Sequence, residues 1–402
     1  MEMSASSLSY YQSKSTIYLF QVCAFIFTFC VLHKVNFVFA PTLSVLAVLV
    51  AFIIYTPKFV ELKYYIESYY LFFVTLIFFI LYCSALWFFL SPSDNTILFR
   101  SYFFVIYSVL GAIFLNCIVR YSYIEIIKAF LYVAFLQSLL IILDFFSPSF
   151  HQFLLTYLEH GSFAYETTIR AIGFSSEAGS ALSVTQFIGF FAGYLLGKVE
   201  RNIRLLPFIM SLIIFASTFV TGRMGLLLCL PFLIHWCFVS RKIALFFIFT
   251  CASTIFILFS FASEKLLMAF IWVFNVFTGE DKTVSVILGM HIPPLSESSI
   301  VGSGMYSLGD GSNASGSDIG YIQNYYAMGL INVIIFYVSL FFFLFRSALR
   351  AFRFRSELVI FILMIFVVEL KEPFIFKYNM VFFILALLFS LDIKLLNKLR
   401  RS

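Results

Sequence analysis

Apolar residues in this chain come in long unbroken runs, without the three-to-four spacing of a surface helix or the alternation of a half-buried strand. Runs approaching the roughly 17–25 residues of a bilayer-crossing helix fall near Ile17–Leu32, Phe37–Tyr55, Tyr69–Leu90, Ser101–Val119, Ile124–Phe146 and Ser180–Leu196. Six more follow at Leu205–Val220, Met224–Val239, Ile243–Ala262, Tyr321–Phe345, Leu358–Leu370 and Phe374–Leu391, the eleventh being the shortest. The pattern predicts an all-α polytopic integral membrane protein: a single transmembrane domain over residues 1–402, with about twelve transmembrane helices. The first run lacks a basic flank and a small-residue cleavage site, so it reads as a membrane helix and not as a cleaved signal.

Polar positions set the topology. Eight of the 26 Lys and Arg residues (Lys34, Arg100, Arg170, Arg223, Lys265, Lys282, Lys371, Lys377) fall on one side of a twelve-span arrangement, and the rest on the other. The positive-inside bias then predicts both termini in the cytoplasm. Two long loops, 147–179 and 263–320, face the opposite, periplasmic side. The second opens with Leu266–Phe277, apolar but too short to cross, which predicts an interfacial helix. It ends in a Gly/Ser-rich stretch, Gly302–Ser317, whose composition predicts mobility.

Composition removes the other classes. With 62% hydrophobic, 21% aromatic and 11% charged residues, the chain has too little polar surface for a soluble fold or a disordered segment. Its seven cysteines lie in or beside apolar runs with no CxxC, so no disulfide framework or zinc site is expected. The net charge of +6 is scattered over membrane loops, which argues for topology and against nucleic acid as a partner. No HExxH, DxD, Walker A or paired-His spacing occurs, so neither a metal nor a cofactor is expected.

Chemistry is therefore sought among the periplasmic charges. Arg170 precedes the sixth span in Arg170-Ala-Ile-Gly-Phe-Ser-Ser-Glu177, and Arg223 lies in Thr221-Gly222-Arg223 at the start of the eighth. Each span begins at the outer interface, where free N–H groups, the dipole and a guanidinium suit an anionic phosphate. The alternative is an arginine snorkelling to the lipid headgroups. Glu177 is read as an orienting partner of Arg170, a sugar ligand, a base, or a first-turn acid complementing the helix dipole. Asp318 is either a proton acceptor or the N-cap of the tenth helix. Lys371 and Lys377 are candidate phosphate ligands beside Glu372, which reads first as their ion-pair partner. His291, near Glu297, and Tyr321, with Tyr325 and Tyr326, complete the candidate substrate-binding set; the tyrosines equally fit an interfacial aromatic belt. Gln137, Gln186 and Asn332 are the polar mid-span residues that a transport pathway would use.

The order of these motifs resembles the Wzy-type O-antigen polymerases and the related O-antigen ligases. The matching stretches are Arg170–Ala181, Thr221-Gly222-Arg223-Met224-Gly225-Leu226, and Gly302-Ser-Gly304 followed by Asp318-Ile-Gly320-Tyr321 and Met328-Gly329-Leu330. They cover about a third of the chain. Where the ligase pattern has a histidine eleven residues before a Gly-Leu pair, this chain has Asp318, a departure that favours the polymerase branch. The resemblance implies a glycosyltransferase of the bacterial inner membrane that joins undecaprenyl-pyrophosphate-linked repeat units at its periplasmic face. It implies Arg170 and Arg223 at the departing pyrophosphate, with Lys371 or Lys377 in support, and Glu177 or Asp318 as proton acceptor. It also implies membrane lipids, a flippase and a chain-length regulator as partners. An O-antigen ligase acting on lipid A–core, and then a lipid-linked oligosaccharide flippase, are the alternatives.

Overall fold

A computed structural model describes residues 14–38, 43–54, 67, 69–90, 94–158, 170–199, 205–239, 245, 268, 271, 292–308, 312–377 and 379–399. The described chain is built from helices, with two isolated bridges between extended residues. Among the described residues, five helices are long and apolar enough to cross a membrane: Tyr70–Leu90, Thr96–Ile118, Tyr123–Phe146, Gly179–Val199 and Leu330–Arg350. In chain order the helices are α1 (Lys14–His33), α2 (Leu43–Ile54), α3 (Tyr70–Leu90), α4 (Thr96–Ile118), α5 (Tyr123–Phe146), α6 (Pro148–Tyr157) and α7 (Gly179–Val199). There follow α8 (Leu205–Thr221), α9 (Arg223–Val239), a short helical turn at Glu297–Val301, α10 (Gly320–Met328), α11 (Leu330–Arg350), α12 (Arg355–Val368) and α13 (Asn379–Leu399).

The centre of the bundle is α7, whose apolar window is 94% buried, against 28% for the peripheral α3. Its sequence shows why it sits there. Gly189, Gly193 and Gly197 recur every fourth residue, so they form one small-residue stripe along the helix. A Cβ on each would collide with Ala134 of α5, Ser211 of α8 and the Trp236 ring of α9, respectively. In a bilayer there is little hydrophobic drive between helices, and close backbone approach supplies the packing instead. The opposite face of α7 places Phe187 and Phe191 against Phe361 of α12. The abundant phenylalanine is thus spent partly on interhelical stacking.

Most apolar runs appear as helices at the expected places, with informative exceptions. Within the run Phe37–Tyr55, Leu43–Ile54 is helical and Phe37 pairs as an extended bridge with Leu158. The tenth run is two helices and not one: Gly329, at φ 82°, breaks it between α10 and α11. That conformation favours glycine, and Val301 presses so closely on the position that no side chain would fit. In the twelfth run the helix α13 is Asn379–Leu399, and Phe374–Phe376 are buried in the turn before it. The first long loop contains the helix α6, begun by Ser147 and Pro148. The Gly/Ser-rich stretch is fastened where it is described. Ser303 and Gly304 donate to the carbonyls of Tyr326 and Ala327, and Tyr306 and Ser307 donate their N–H groups to Asp94. Of the ninth run only Leu245 is among the described residues, and of Leu266–Phe277 only Met268 and Ile271, so both expectations lie essentially outside them.

Candidate functional site

Alternation of helix direction brings one set of ends together: the close of α1, α5, α8 and α12, and the start of α4, α7, α9 and α13. There the irregular segment 170–178 enters the bundle. Such a segment exposes backbone groups that cannot be left unbonded away from water. Two side chains of α5 satisfy them. Asp144, fully buried, accepts the N–H groups of Ile172 (2.6 Å) and Gly173 (3.1 Å) on one oxygen and meets His151 Nδ1 (2.7 Å) with the other. Gln137 donates to the Ile172 carbonyl (3.0 Å) and accepts from Phe174 N–H (3.1 Å). Gln137, a candidate for a transport path on sequence grounds, is therefore a clamp on this segment. Further along, Ser175 Oγ and Ser176 N–H donate to the His33 carbonyl.

The clamp positions Arg170. Ala171 N–H donates to Val220 O (3.0 Å), tying the residue after Arg170 to the last turn of α8, just before the Thr221-Gly222-Arg223 turn. That turn in turn packs on the first turn of α7. A Cβ on Gly222 would lie 2.8 Å from the Gly179 carbonyl, one on Gly225 would collide with Ser183, and Gly225 N–H donates to Ser183 Oγ (3.1 Å). Gly179, at φ 61°, leaves room in which Arg170 Nη1 lies. Arg170 and Arg223 are therefore neighbours, and the charge of Arg223 bears on Arg170.

The third component is the turn 369–377. Its Glu372 pairs with Lys377 and accepts the Ser180 hydroxyl at the start of α7. Burial works against its ionisation, but Lys377, Ser180 and Lys371 together hold its carboxyl below the usual glutamate range. Lys371 is pulled below the usual lysine range, first by burial and then by Arg170, Arg223 and Lys377, while Glu372 opposes the shift. Arg170 is lowered by burial and by Arg223, again against Glu372. Lys34, following α1, pairs with Glu177; burial lowers its pKa, and Lys377 and Arg100 lower it further. Six of the eight expected periplasmic cations (Lys34, Arg100, Arg170, Arg223, Lys371, Lys377) thus form one connected electrostatic neighbourhood. Lys265 and Lys282 lie outside the described residues.

A buried polar bridge supports this turn. Glu369, fully buried, accepts from Asn324 Nδ2 (2.8 Å), Tyr337 Oη (2.6 Å) and Ile375 N–H (2.8 Å). Asn324 in turn accepts the Tyr306 hydroxyl (2.6 Å), and the Arg100 guanidinium lies 3.8 Å above the Tyr306 ring. Neither Asp144 nor Glu369 was picked out from the sequence. Their signal was present: each is a carboxylate set within or at the end of an apolar run, where an acid needs partners.

The remaining candidates fall differently. Glu177 pairs with Lys34 and accepts from Asn379 Nδ2 (2.8 Å). Asp318 is exposed and accepts from Asn313 Nδ2, and Ile319 occupies the N-cap position of α10, so Asp318 is not the cap. Tyr321 donates its hydroxyl to the Phe366 carbonyl (2.8 Å) and packs edge-on against Tyr337, a structural role at the α10–α12 contact. His291 lies outside the described residues. The geometry as a whole can hold a polyanion: it gathers two guanidiniums and two ammoniums around one carboxylate at the end of the bundle. No protein family model matches this chain, and no curated protein matches it.

Proposed function

We propose that this chain is an O-antigen polymerase, a glycosyltransferase that joins undecaprenyl-pyrophosphate-linked repeat units at the periplasmic face of a bacterial inner membrane. The observation that carries the reading is the gathering of Arg170, Arg223, Lys371 and Lys377 about Glu372 at one end of the bundle, where burial first and neighbouring cations next lower Arg170 and Lys371. Like charges brought together in a partly buried site cost free energy in the resting fold, and a bound pyrophosphate relieves it. In the reaction a hydroxyl of the acceptor repeat attacks the anomeric carbon of the donor chain. The new glycosidic C–O bond forms, the C–O bond to pyrophosphate breaks, the hydroxyl loses its proton, and the pyrophosphate leaves with the bonding pair. Its negative charge grows along that path, so preorganised cations stabilise the transition state more than the ground state. Arg170 and Arg223 are assigned to the departing pyrophosphate, with Lys371 in support. Glu372 holds Lys377 and the start of α7 in register.

Complementation of a strain lacking this gene tests the assignment. The account expects the null strain to display lipid A–core carrying a single repeat unit, with Arg170→Ala and Arg223→Ala, both present at normal level, failing to restore the ladder. A null strain with bare lipid A–core would move the reading to ligation or export, and a normal ladder would remove it.

A further inference from the structure

The short helix α10 touches the lysine-bearing turn 369–377 at two places. At its start, a Cβ on Gly320 would meet the Glu372 carbonyl at 2.6 Å and Pro373 Cα at 2.7 Å. One helical turn later, Asn324 Nδ2 donates to Glu369 Oε1 (2.8 Å), and the other Glu369 oxygen accepts Ile375 N–H (2.8 Å), between Glu372 and Lys377. The same helix holds the described end of the second long loop. Ser303 and Gly304 N–H donate to the Tyr326 and Ala327 carbonyls, and the Tyr306 hydroxyl donates to Asn324 Oδ1 (2.6 Å). Gly302 and Gly329 pack backbone against backbone beside them, each too close for a Cβ. The bonds at the centre run in one sense only. Asn324 gives its N–H groups to Tyr337 Oη (2.6 Å) and Glu369, and the Tyr337 hydroxyl donates to Glu369 (2.6 Å). Glu369 therefore receives three donors and offers none, the pattern of an ionised carboxylate. Arg100 and Lys377 are the cations whose charge bears on it. Asn324 and Glu369 are both fully buried, so neither meets a substrate, and each acts through what it holds.

We infer that Glu369 is a positioning residue of the proposed anion site, which sets the turn carrying Lys371 and Lys377 in register with loop residues 303–308 through α10. The identity of the anion rests on the polymerase reading; the coupling rests on the hydrogen-bond chain. A unit that opens as one is also protected as one. Pyrophosphate bound to the closed turn stabilises it by mass action, and the loop joined to it gains the same protection. By reciprocity, a packed loop favours pyrophosphate at the turn. The second long loop would thereby be ordered when the cation site is filled.

The test is hydrogen exchange of the full chain in detergent, read by mass spectrometry on peptides covering 303–308 and 369–377, with and without inorganic pyrophosphate. In the wild type, saturating pyrophosphate should slow both peptides by a similar factor. Glu369→Gln sets an amide NH₂ against one of the three donors and strands it. Without ligand, both peptides should then exchange roughly five- to hundredfold faster, and pyrophosphate should no longer slow the loop. A residue that served general stability alone would leave that loop response intact in the folded variant. Tyr306→Phe cuts the chain on the loop side and leaves Glu369 its three donors, so it decides the matter if Glu369→Gln does not fold. Its loop peptide should quicken and respond less to pyrophosphate, while the turn responds as in the wild type. Protection of the turn without the loop in the wild type, or a wild-type loop response in either folded variant, would overturn the coupling. If pyrophosphate slows neither peptide, the anion-site reading fails instead. The positioning role is then decided by ligand-free exchange: joint quickening of both peptides in Glu369→Gln supports it, and quickening of the turn alone overturns it.

Discussion

Asp144→Ala tests whether the buried clamp in α5 sets the position of Arg170. The substitution removes the acceptor for Ile172 and Gly173 N–H, which the structure places at 2.6 and 3.1 Å in a fully buried site. Each stranded donor costs about 1–3 kcal/mol, so the segment loses about 2–6 kcal/mol of local stability. The rest of α5 keeps its apolar contacts, so the bundle itself should persist. Hydrogen exchange read by mass spectrometry on a peptide covering 170–178 is the direct assay. A loss of about 2 kcal/mol corresponds to exchange about thirtyfold faster through local opening, and a larger loss to more. In complementation the same variant should fall to the level of Arg170→Ala. Asp144→Asn, which keeps one acceptor oxygen, should lie between it and the wild type. Unchanged protection of 170–178, or a full polysaccharide ladder from a folded Asp144→Ala protein, would refute the clamp.

Three further outcomes follow from the site. Glu177→Gln strips the partly buried Lys34 of its counter-charge and should cost about 3 kcal/mol, the low end for such a pair because the Lys34 side chain is 23% exposed. Adding Lys34→Met should recover part of the thermal stability lost, and a double variant worse than Glu177→Gln alone would contradict the pairing. Gly225→Ala drives a methyl into Ser183 and should destabilise the folded protein by about 1–3 kcal/mol, seen as a lower melting temperature in detergent; an unchanged melting temperature would show that the α7–α9 contact is looser than described. Because burial and neighbouring cations lower the Lys371 pKa, its charge is lost at lower pH than for an ordinary lysine. Pyrophosphate affinity should therefore weaken as pH rises on the alkaline side. Lys371→Arg, which stays charged, should carry the plateau to higher pH, and identical profiles would exclude Lys371 from the anion site.

The membrane character and the placement of most helices were legible because bilayer length and apolarity are local properties of a run. The helix Gly179–Val199 could be read this way as the run Ser180–Leu196, short by one residue at its start and three at its end. The break at Gly329 could not, since an apolar window averages over Met328-Gly329-Leu330 and carries no information on a left-handed backbone. Topology alone picked out Arg170, Arg223, Lys371 and Lys377, because cations on the outer side stand against the general bias. Their partners were hidden for a different reason. Lys34 and Glu177 are 143 positions apart, and Ser180 and Glu372 are 192 apart, so nothing in the local pattern links them. Asp144 and Glu369 were passed over as isolated acids in apolar surroundings; in a membrane helix that isolation is itself the signal of a buried acceptor. Asp318 shows the converse, a residue in a suggestive spacing that folding leaves on an exposed loop.

The central claim is that the clustered cations stabilise a departing lipid pyrophosphate. The most direct measurement is single-turnover polymerisation in proteoliposomes containing the purified chain and undecaprenyl-pyrophosphate-linked repeat unit, following both polymer length and released undecaprenyl pyrophosphate. The account predicts that polymer and pyrophosphate appear together. It predicts that Arg170→Ala and Arg223→Ala each slow both by about a hundredfold or more, the cost of removing one preorganised donor from a developing anion. Release at the wild-type rate in both folded variants would contradict it.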